Sequence, residues 1–298
     1  MDTLNMLPYF AVMMQEVQEN ERRNEINQFN IERRIMRNDS DPFALSDNQF
    51  KNTFRLTKDM INYLFEQLLP HMRMDLRTNA VNPRLRIFAA LYFYANGSYQ
   101  RVIGNSYSLS MAQNTVIAMV HTICDYGLKI MNVNPQFPGA THDSYIWRMS
   151  QIQRELQTCF GNGDHNTWLL GDSGYPQQPW LMTPVLNPAQ GSPEERYNNT
   201  HASARNCIER CFGVLKGRFR CLLGERTLRY SPEKVGTIVV ACAVLHNLCI
   251  AARLEEDYNI QEVEQPRQRH NQADENNQDQ NEGRARRRLL IERYFSEN

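Results

Sequence analysis

The chain carries at residues 168–175 the stretch Trp-Leu-Leu-Gly-Asp-Ser-Gly-Tyr, an apolar run that ends in an acid and a turn. The apolar residues Trp168–Gly171 predict a short buried strand, and Ser173-Gly174 predict that the chain then turns away. The carboxylate of Asp172 would lie at the end of that strand, held rigidly and open on one side. Asp172 is therefore a candidate site residue, and the alternative is a purely structural turn aspartate.

A second acid, Glu209, lies in the long helical pattern Glu194–Leu222, on the same helix face as Arg205 and Lys216. A carboxylate at a strand end and another on a nearby helix suit Mg²⁺ or Mn²⁺, which prefer oxygen ligands. Cleavage of a phosphodiester by two such ions needs several converging carboxylates. The alternative for Glu209 is a solvated charge partner of Arg205 one helical turn away.

A third acid, Asp143, directly precedes the helical pattern of residues 142–159. That place predicts an N-cap, which is the structural alternative to a role in a metal site.

Composition limits the function classes only broadly. A chain of 298 residues holds one large domain or two ordinary ones, and 41% hydrophobic residues suffice for a core. Lys plus Arg equals Asp plus Glu, 33 each, so net charge does not favour nucleic acid and any DNA surface must come from local clusters. A candidate phosphate surface, with ordinary solvated helix charges as the alternative, comprises Lys216, Arg218, Arg220, Arg226 and Arg229.

The seven cysteines show no Cys-x-x-Cys pair. Cys207 and Cys211 share a helix face, and reduced buried thiols are favoured there over zinc. No apolar run is expected to reach the ~18 residues of a membrane span. The amino terminus lacks the pattern of a secretory signal, so we expect an intracellular, reducing compartment and no membrane.

The pattern along the chain predicts four regions. Residues 1–48 form an N-terminal helical and polar extension, whose charges suit a solvated helix better than a DNA arm. Residues 49–123 contain only helical patterns, residues 124–258 alternate strands with helices, and residues 259–298 form a C-terminal region. The alternation predicts an α/β layer structure.

The helical region predicts helices at Phe54–Leu69, from Pro83 to Gly97, and from about Met111 to Ile123. Two helices joined by a short turn, with a supporting helix before them, match the helix-turn-helix plan, and the alternative is an all-helical packing bundle. In that plan the second helix faces the bases, through Gln113, Asn114 and Thr115.

In the C-terminal region, Gln261–Glu282 is rich in Gln, Asn, Glu and Asp, which predicts a disordered linker. Arg284–Phe295 mixes basic and apolar residues and predicts a basic helix. That helix could serve nuclear localisation or partner binding, or be a solvated helical end.

From about Gln49 to Ala252 the chain resembles the PIF/Harbinger transposase-derived nucleases of the DDE superfamily. The order and spacing of six blocks carry the resemblance: Pro138–Ser144, Leu169–Tyr175, Trp180–Pro184, Asn206–Phe219, Tyr230–Lys234 and Cys242–Leu248. It implies a ribonuclease-H-like nuclease domain that hydrolyses DNA phosphodiesters with Mg²⁺ or Mn²⁺. It further implies Asp143, Asp172 and Glu209 as metal ligands, with Asp172 and Glu209 catalytic. A nuclear (and cytoplasmic) location and a Myb-like partner protein follow in the same way.

One element of that family is missing from the sequence. The family's first aspartate stands in a Gly-Val-x-Asp-Gly-Thr-His-like motif, whereas here Ile123 runs straight into Cys124. Asp125 does not replace it, because Asp-Tyr-Gly before a strand predicts a turn. We therefore expect a truncated sheet and impaired catalysis, from truncation or alternative splicing of a longer nuclease. The alternative is a catalytically silent DNA- or protein-binding derivative.

Overall fold

The computed structural model describes residues 7–39, 41–72, 81–97, 121–135, 142–223, 230–254 and 278–296. Contacts divide the chain into two compact units, Met1–Asn52 and Thr53–Asn298. The helices are α1 (Leu7–Asp39), α2 (Asp47–Phe54), α3 (Lys58–Leu68), α4 (Pro83–Asn96), α5 (Asp143–Met149), α6 (Gln151–Gly161), α7 (Pro193–Arg218), α8 (Pro232–Ala251) and α9 (Gln278–Phe295). The strands are β1 (His121–Cys124), β2 (Ile130–Asn134), β3 (Leu169–Leu170) and β4 (Leu181–Met182).

The first unit contains the long helix α1. Its side chains are exposed wherever they are described, Met14 and Phe29 included. The stretch is thus helical and exposed, and the choice between a solvated helix and a DNA arm stays a prediction. After it, Asp41 caps a short 3₁₀ turn by accepting the N–H of Phe43 at 3.0 Å.

The helix predicted from Pro83 to Gly97 is confirmed, whereas the one predicted at Phe54–Leu69 begins only at Lys58, because Arg55, at φ 63°, separates it from α2. The Thr57 hydroxyl accepts the N–H of Met60 at 3.3 Å and opens α3, and Asn82 and Pro83 open α4. Gly97 ends α4 in the left-handed conformation, φ 59°, which costs a glycine little. Residues 98–120, with the predicted helix-turn-helix and Gln113, Asn114 and Thr115, lie outside the described residues.

β1 and β2 form an antiparallel hairpin. The predicted helix through Ile123 is therefore wrong over its last three residues, because His121–Ile123 pair with β2 instead. The turn predicted at Asp125 is confirmed: its Oδ1 accepts the N–H of Lys129 at 2.9 Å. Leu128, at φ 65°, completes the tight connection.

Helix α8 anchors this hairpin through Asn247. Its side-chain oxygen accepts the N–H of Ile130 and its side-chain nitrogen donates to the Ile130 carbonyl, both at 2.8 Å. The amide thus offers Ile130 the same pair of hydrogen bonds that a neighbouring strand would offer.

The described part of the chain is mostly helical, with a small amount of sheet. β3 pairs with β4 in parallel, and within the described part of the chain each sheet holds two strands. The helix predicted at 142–159 is divided at Ser150, whose hydroxyl caps α6 by accepting the N–H of Gln153.

Helices α7 and α8 supply much of the core. The long helix predicted to Leu222 ends at Arg218 and is followed by a 3₁₀ turn, whereas α8 begins as predicted, with Ser231 as N-cap and Pro232 first. α8 is long and apolar enough to cross a membrane, contrary to the expectation that no run would be. Half of it is buried, however, and residues such as Val239, Cys242 and His246 pack inside the protein, so we assign a core helix.

The C-terminal helix α9 packs back onto α7 and β4. The helix begins at Gln278, so the prediction of a disordered linker is wrong over residues 278–282. The earlier part of the predicted linker, residues 261–277, lies outside the described residues. Gln280, Gly283 and Ile291 are buried. The helix is therefore not a solvated end, which the sequence had left open.

Candidate active site

Asp172 follows β3 as predicted, but the strand is not buried as expected, since Leu169 is half-buried and Leu170 is exposed. β4 holds this strand, since the N–H groups of Leu169 and Gly171 donate to the carbonyls of Trp180 and Met182, each at 2.9 Å. Asp172 then caps its own turn, because its Oδ1 accepts the N–H of Gly174 at 2.9 Å. The structural role as a turn aspartate is thus observed, and the second oxygen, Oδ2, faces Arg205.

Asp143 lies beside Asp172. It is the first residue of α5 and not its N-cap, a position that His142 takes without a side-chain hydrogen bond. A Cβ placed on Gly174 would lie 3.1 Å from Asp172 Oδ1 and 3.7 Å from Asp143 Oδ2. The two carboxylates are thus within about 7 Å of each other, across a space that a glycine leaves open.

Tyr175 lies near the two carboxylates, and the sequence analysis did not single it out as a candidate. Burial raises the pKa of its hydroxyl, the charges of Asp143 and Asp172 raise it further, and Arg205 lowers it. The ring packs edge-on to Trp147 with centroids 6.3 Å apart. Its place just after the Asp-Ser-Gly turn was the signal that could have revealed it, because the residue closing a tight turn packs beneath it.

Arg205 on α7 pairs with Asp172, with Nη2 and Oδ2 3.6 Å apart. The sequence had offered Glu209 as its partner. One turn earlier on the helix, buried His201 shares a hydrogen bond of 3.1 Å between Nε2 and the Met182 carbonyl. Burial lowers the pKa of His201, so the ring is neutral near pH 7 and Nε2–H donates.

Glu209 lies one turn after Arg205 and is half-buried. Its charge raises the pKa of Lys216, although burial lowers that pKa more. The Lys216 ammonium lies 5.8 Å from the centre of the Phe212 ring. Over the described ranges, no group of three or more His, Cys, Asp or Glu side chains is placed to hold a metal ion. The structure thus brings Asp143 and Asp172 together but does not gather Glu209 with them.

The prediction that Arg218 belongs to a phosphate-binding surface is wrong. Its side chain is 0% exposed and its Nη1 lies 3.2 Å from His246 Nδ1, so it is a core residue and not part of a DNA surface. Since an arginine can only donate, Nδ1 accepts, and His246 Nε2–H donates to the Leu128 carbonyl at 2.8 Å. Helical spacing could not separate Arg218 from its exposed neighbour Arg220. Arg226 and Arg229 lie outside the described residues.

The cysteines are free thiols. Cys211 is buried, as expected, but Cys207 is only half-buried, with its Sγ 3.9 Å from that of Cys124. Burial raises the pKa of Cys207 to about 11. A thiol with a raised pKa stays protonated near neutrality, which favours the interpretation as reduced thiols.

The donor set at Asp143 and Asp172 fits a hard divalent ion. Both side chains offer carboxylate oxygens, the ligands that Mg²⁺ and Mn²⁺ prefer, around the space left by Gly174. Two carboxylates are fewer than a two-ion site requires. The described residues therefore do not show a complete metal site.

Residues 98–247, half of the chain, match the family described as DDE superfamily endonuclease. The chain belongs to this family. Members of the DDE superfamily generally use divalent metal ions, and a DDE endonuclease domain fits the ribonuclease-H-like class. The resemblance to Harbinger-derived nucleases is thereby confirmed at the level of the family.

The human protein named "Putative nuclease HARBI1" is 26% identical to this DDE endonuclease-family chain over 279 residues, covering 69% of this chain and 78% of the human protein. Its Xenopus laevis counterpart is 29% identical over 280 residues, covering 71% and 80%. The Arabidopsis thaliana "Protein ALP1-like" is 23% identical over 143 residues, covering 44% of this chain and 34% of that protein. No solved structure matches the chain.

Proposed function

We propose that the chain is a divalent-metal-dependent nuclease that hydrolyses DNA phosphodiester bonds, with turnover impaired by the loss of its first catalytic acid. One observation carries the proposal: the carboxylates of Asp143 and Asp172 border one open turn at the end of β3. Membership of an endonuclease family supplies the reaction class.

Asp143 and Asp172 would hold the ion, and Glu209 is proposed as the third ligand. The ion, when bound, supplies Lewis acidity toward the phosphate and a more acidic water. Residues of the chain would position the ligands and contact the phosphate. The Gly174 N–H fixes one oxygen of Asp172, and half-buried Lys216 and exposed Arg220 are proposed phosphate contacts.

Two observations support impairment. The described residues hold two neighbouring acids and no third ligand beside them. The alignment with the human relative runs over 279 positions but takes in 69% of this chain, so about 70 positions have no counterpart here. That number of positions is large enough to include the strand and acid that the sequence lacks at Ile123–Cys124.

The second candidate is a catalytically silent protein that binds DNA or a partner protein. The pairing of Asp172 with Arg205, in a place where a nuclease needs a metal ligand, favours it. We also propose a nuclear location and a Myb-like partner, and DNA contact by Gln113, Asn114 and Thr115. These rest on the resemblance to the family.

The test uses the purified 298-residue chain. Impaired catalysis predicts that Ca²⁺ or Mn²⁺ binds with about one ion per chain in calorimetry, that Asp172→Asn abolishes this binding, and that supercoiled plasmid is nicked slowly or not at all with Mn²⁺. Efficient nicking that Asp172→Asn removes would contradict impairment. Absence of ion binding, with DNA binding intact, would favour the silent protein.

The missing segment has its own test, amplification of the transcript across the Ile123–Cys124 junction from RNA of the source. A longer product with a Gly-x-x-Asp-Gly sequence between these codons is expected if a complete nuclease exists. A single product that joins the two codons directly would mean that the shortened form is the one made.

A further inference from the structure

The ion pair between Arg205 and Asp172 engages the candidate site from the side of α7. Arg205 Nη2 lies 3.6 Å from Asp172 Oδ2, and the other oxygen, Oδ1, accepts the Gly174 N–H. Both oxygens of Asp172 thus already have a positively polarised partner within the protein. A divalent ion drawn to this carboxylate has to compete with Arg205 for Oδ2.

The guanidinium lies inside the electrostatic field of the site. Arg205 lowers the pKa of Tyr175, against the effect of Asp143 and Asp172, and it contributes to the lowered pKa of His201. A divalent ion on the same carboxylates would place two further positive charges close to Arg205. Like charges at such separations repel strongly where water is partly excluded.

The pair can open at low cost. The side chains of Arg205 and Asp172 are 31% and 41% exposed, and ion pairs accessible to water contribute little net stability. The two residues stand on separate elements, the helix α7 and the turn after β3. A released guanidinium presents a planar fork of donors that matches the oxygens of a phosphate.

We propose that Arg205 is a DNA-phosphate-binding residue that rests on Asp172 until a divalent ion takes that carboxylate. The inference rests on the proposed function, because it requires an ion site at Asp143 and Asp172. The consequence is positive coupling between ion binding and DNA binding. The ion frees Arg205 for the phosphate, and by linkage DNA tightens ion binding by the same factor.

The first measurement is calorimetric titration of the full chain with Ca²⁺ in the absence of DNA. Arg205→Gln should bind Ca²⁺ about two- to fivefold more tightly than the wild type, the effect of removing an exposed ion-pair competitor. Arg210→Gln is the matched control, since Arg210 is exposed on the same helix and its loss changes the net charge equally. Its Ca²⁺ affinity should equal that of the wild type.

The second measurement is fluorescence anisotropy of a labelled DNA duplex, with and without Ca²⁺ at constant ionic strength. Ca²⁺ should tighten DNA binding by the wild type at least about fivefold, within the usual range of coupling between sites. The gain should fall below about twofold in Arg205→Gln and persist in Arg210→Gln. Arg205→Lys, which keeps the charge, should show wild-type Ca²⁺ affinity. Arg205→Met, which also removes the charge, replaces the glutamine variant if that variant fails to fold, with the same expected results.

The outcomes separate the two proposals. If the wild type and Arg205→Gln both fail to bind Ca²⁺, the proposed function is overturned and the inference with it. If the wild type binds Ca²⁺ and Arg205→Gln neither tightens that binding nor loses the coupling to DNA, the inference alone is overturned.

Discussion

Single atoms decide how the candidate site is built. Asp172 uses Oδ1 to close its turn on the Gly174 N–H and turns Oδ2 toward Arg205. Gly174 matters through the side chain it lacks, since its φ is not among the left-handed values. The volume beside Gly174 and the protonation of His201 can each be tested by a single substitution.

Gly174→Ala should weaken ion binding while leaving the fold intact. The added Cβ would lie 3.1 Å from Asp172 Oδ1, tighter than ordinary contact, so the carboxylate has to move. We expect at least about a tenfold loss of Ca²⁺ affinity by calorimetry and a change of about 1 kcal/mol or less in the free energy of unfolding. Gly161→Ala is the control, because its Cβ would meet no atom within 4 Å. Equal Ca²⁺ affinity in the two variants would refute the assignment of this space.

His201 should make stability depend on pH. Burial lowers its pKa below the ordinary value of 6.5, so between these two values the unfolded chain binds a proton that the folded chain does not. Its contribution to the free energy of unfolding is therefore complete above pH 6.5 and declines as the pH falls below it. Urea unfolding between pH 8 and 5 should show a smaller loss toward acid in His201→Gln than in the wild type. Parallel pH profiles of the two proteins would count against this.

At the scale of elements, the C-terminal helix α9 supports β4, the strand that holds β3. Arg287 Nη1 donates to the carbonyls of Thr183 and Pro184, both at 2.9 Å, just after β4. Gln177 donates to the Gly283 carbonyl at 3.0 Å and accepts from the Thr183 N–H. The helix thus completes hydrogen bonds of the segment next to the site.

Gly283→Ala should undock α9. A Cβ there would lie 2.6 Å from the backbone carbon of Gln178, a distance that rigid backbone cannot tolerate. In an isolated helix the same substitution would raise the stability by about 1 kcal/mol. The sign of the change in the free energy of unfolding therefore shows whether α9 is docked against Gln178 or free. We expect a loss of about 1–3 kcal/mol in urea unfolding and faster tryptic cleavage within α9.

The control for α9 is Arg288→Ala, which removes an exposed pair with Glu292 and should leave stability within about 0.5 kcal/mol of the wild type. A Gly283→Ala protein as stable as the wild type would mean that α9 does not hold this position in solution.

For the whole molecule, the charge balance is neutral, so DNA affinity must come from local groups. The structure divides two neighbouring arginines between surface and core, Arg220 exposed and Arg218 buried against His246. The same substitution at the two positions should therefore have different consequences.

Arg220→Gln should weaken DNA binding and lower the slope of log affinity against log salt by about 1, with unchanged stability. Arg218→Gln should instead lower the free energy of unfolding by about 2–4 kcal/mol, because it removes a buried hydrogen-bonded cation from the core. Anisotropy across a salt series and urea unfolding measure the two effects. Equal salt slopes for Arg220→Gln and the wild type would exclude Arg220 from the DNA surface.

Local patterns were sufficient for part of the fold and of the site. The helix starts at Pro83 and Ser231, the stop at Gly97 and the strand before Asp172 were predictable, because each depends on residues adjacent in the chain, whereas the start of α3 after Thr57 was not predicted. The resemblance to the family likewise rests on blocks of adjacent residues, and it is confirmed by the match over residues 98–247. The assignment of roles to Asp143, Asp172, Glu209, Lys216 and Arg220 remains a prediction.

Only the tertiary structure decided which segments distant in the sequence contact each other. His121–Ile123 became a strand because β2 pairs with them, and Arg218 went inside because α8 covers its side of α7. Arg205 forms its ion pair with Asp172 and not with Glu209, the partner that helical spacing had suggested. Helix α9 packs against β4. Periodicity gives the faces of a helix but not which neighbour covers each face. By itself the sequence determined the local elements and the family, and packing determined which charges meet, which are buried, and which are exposed.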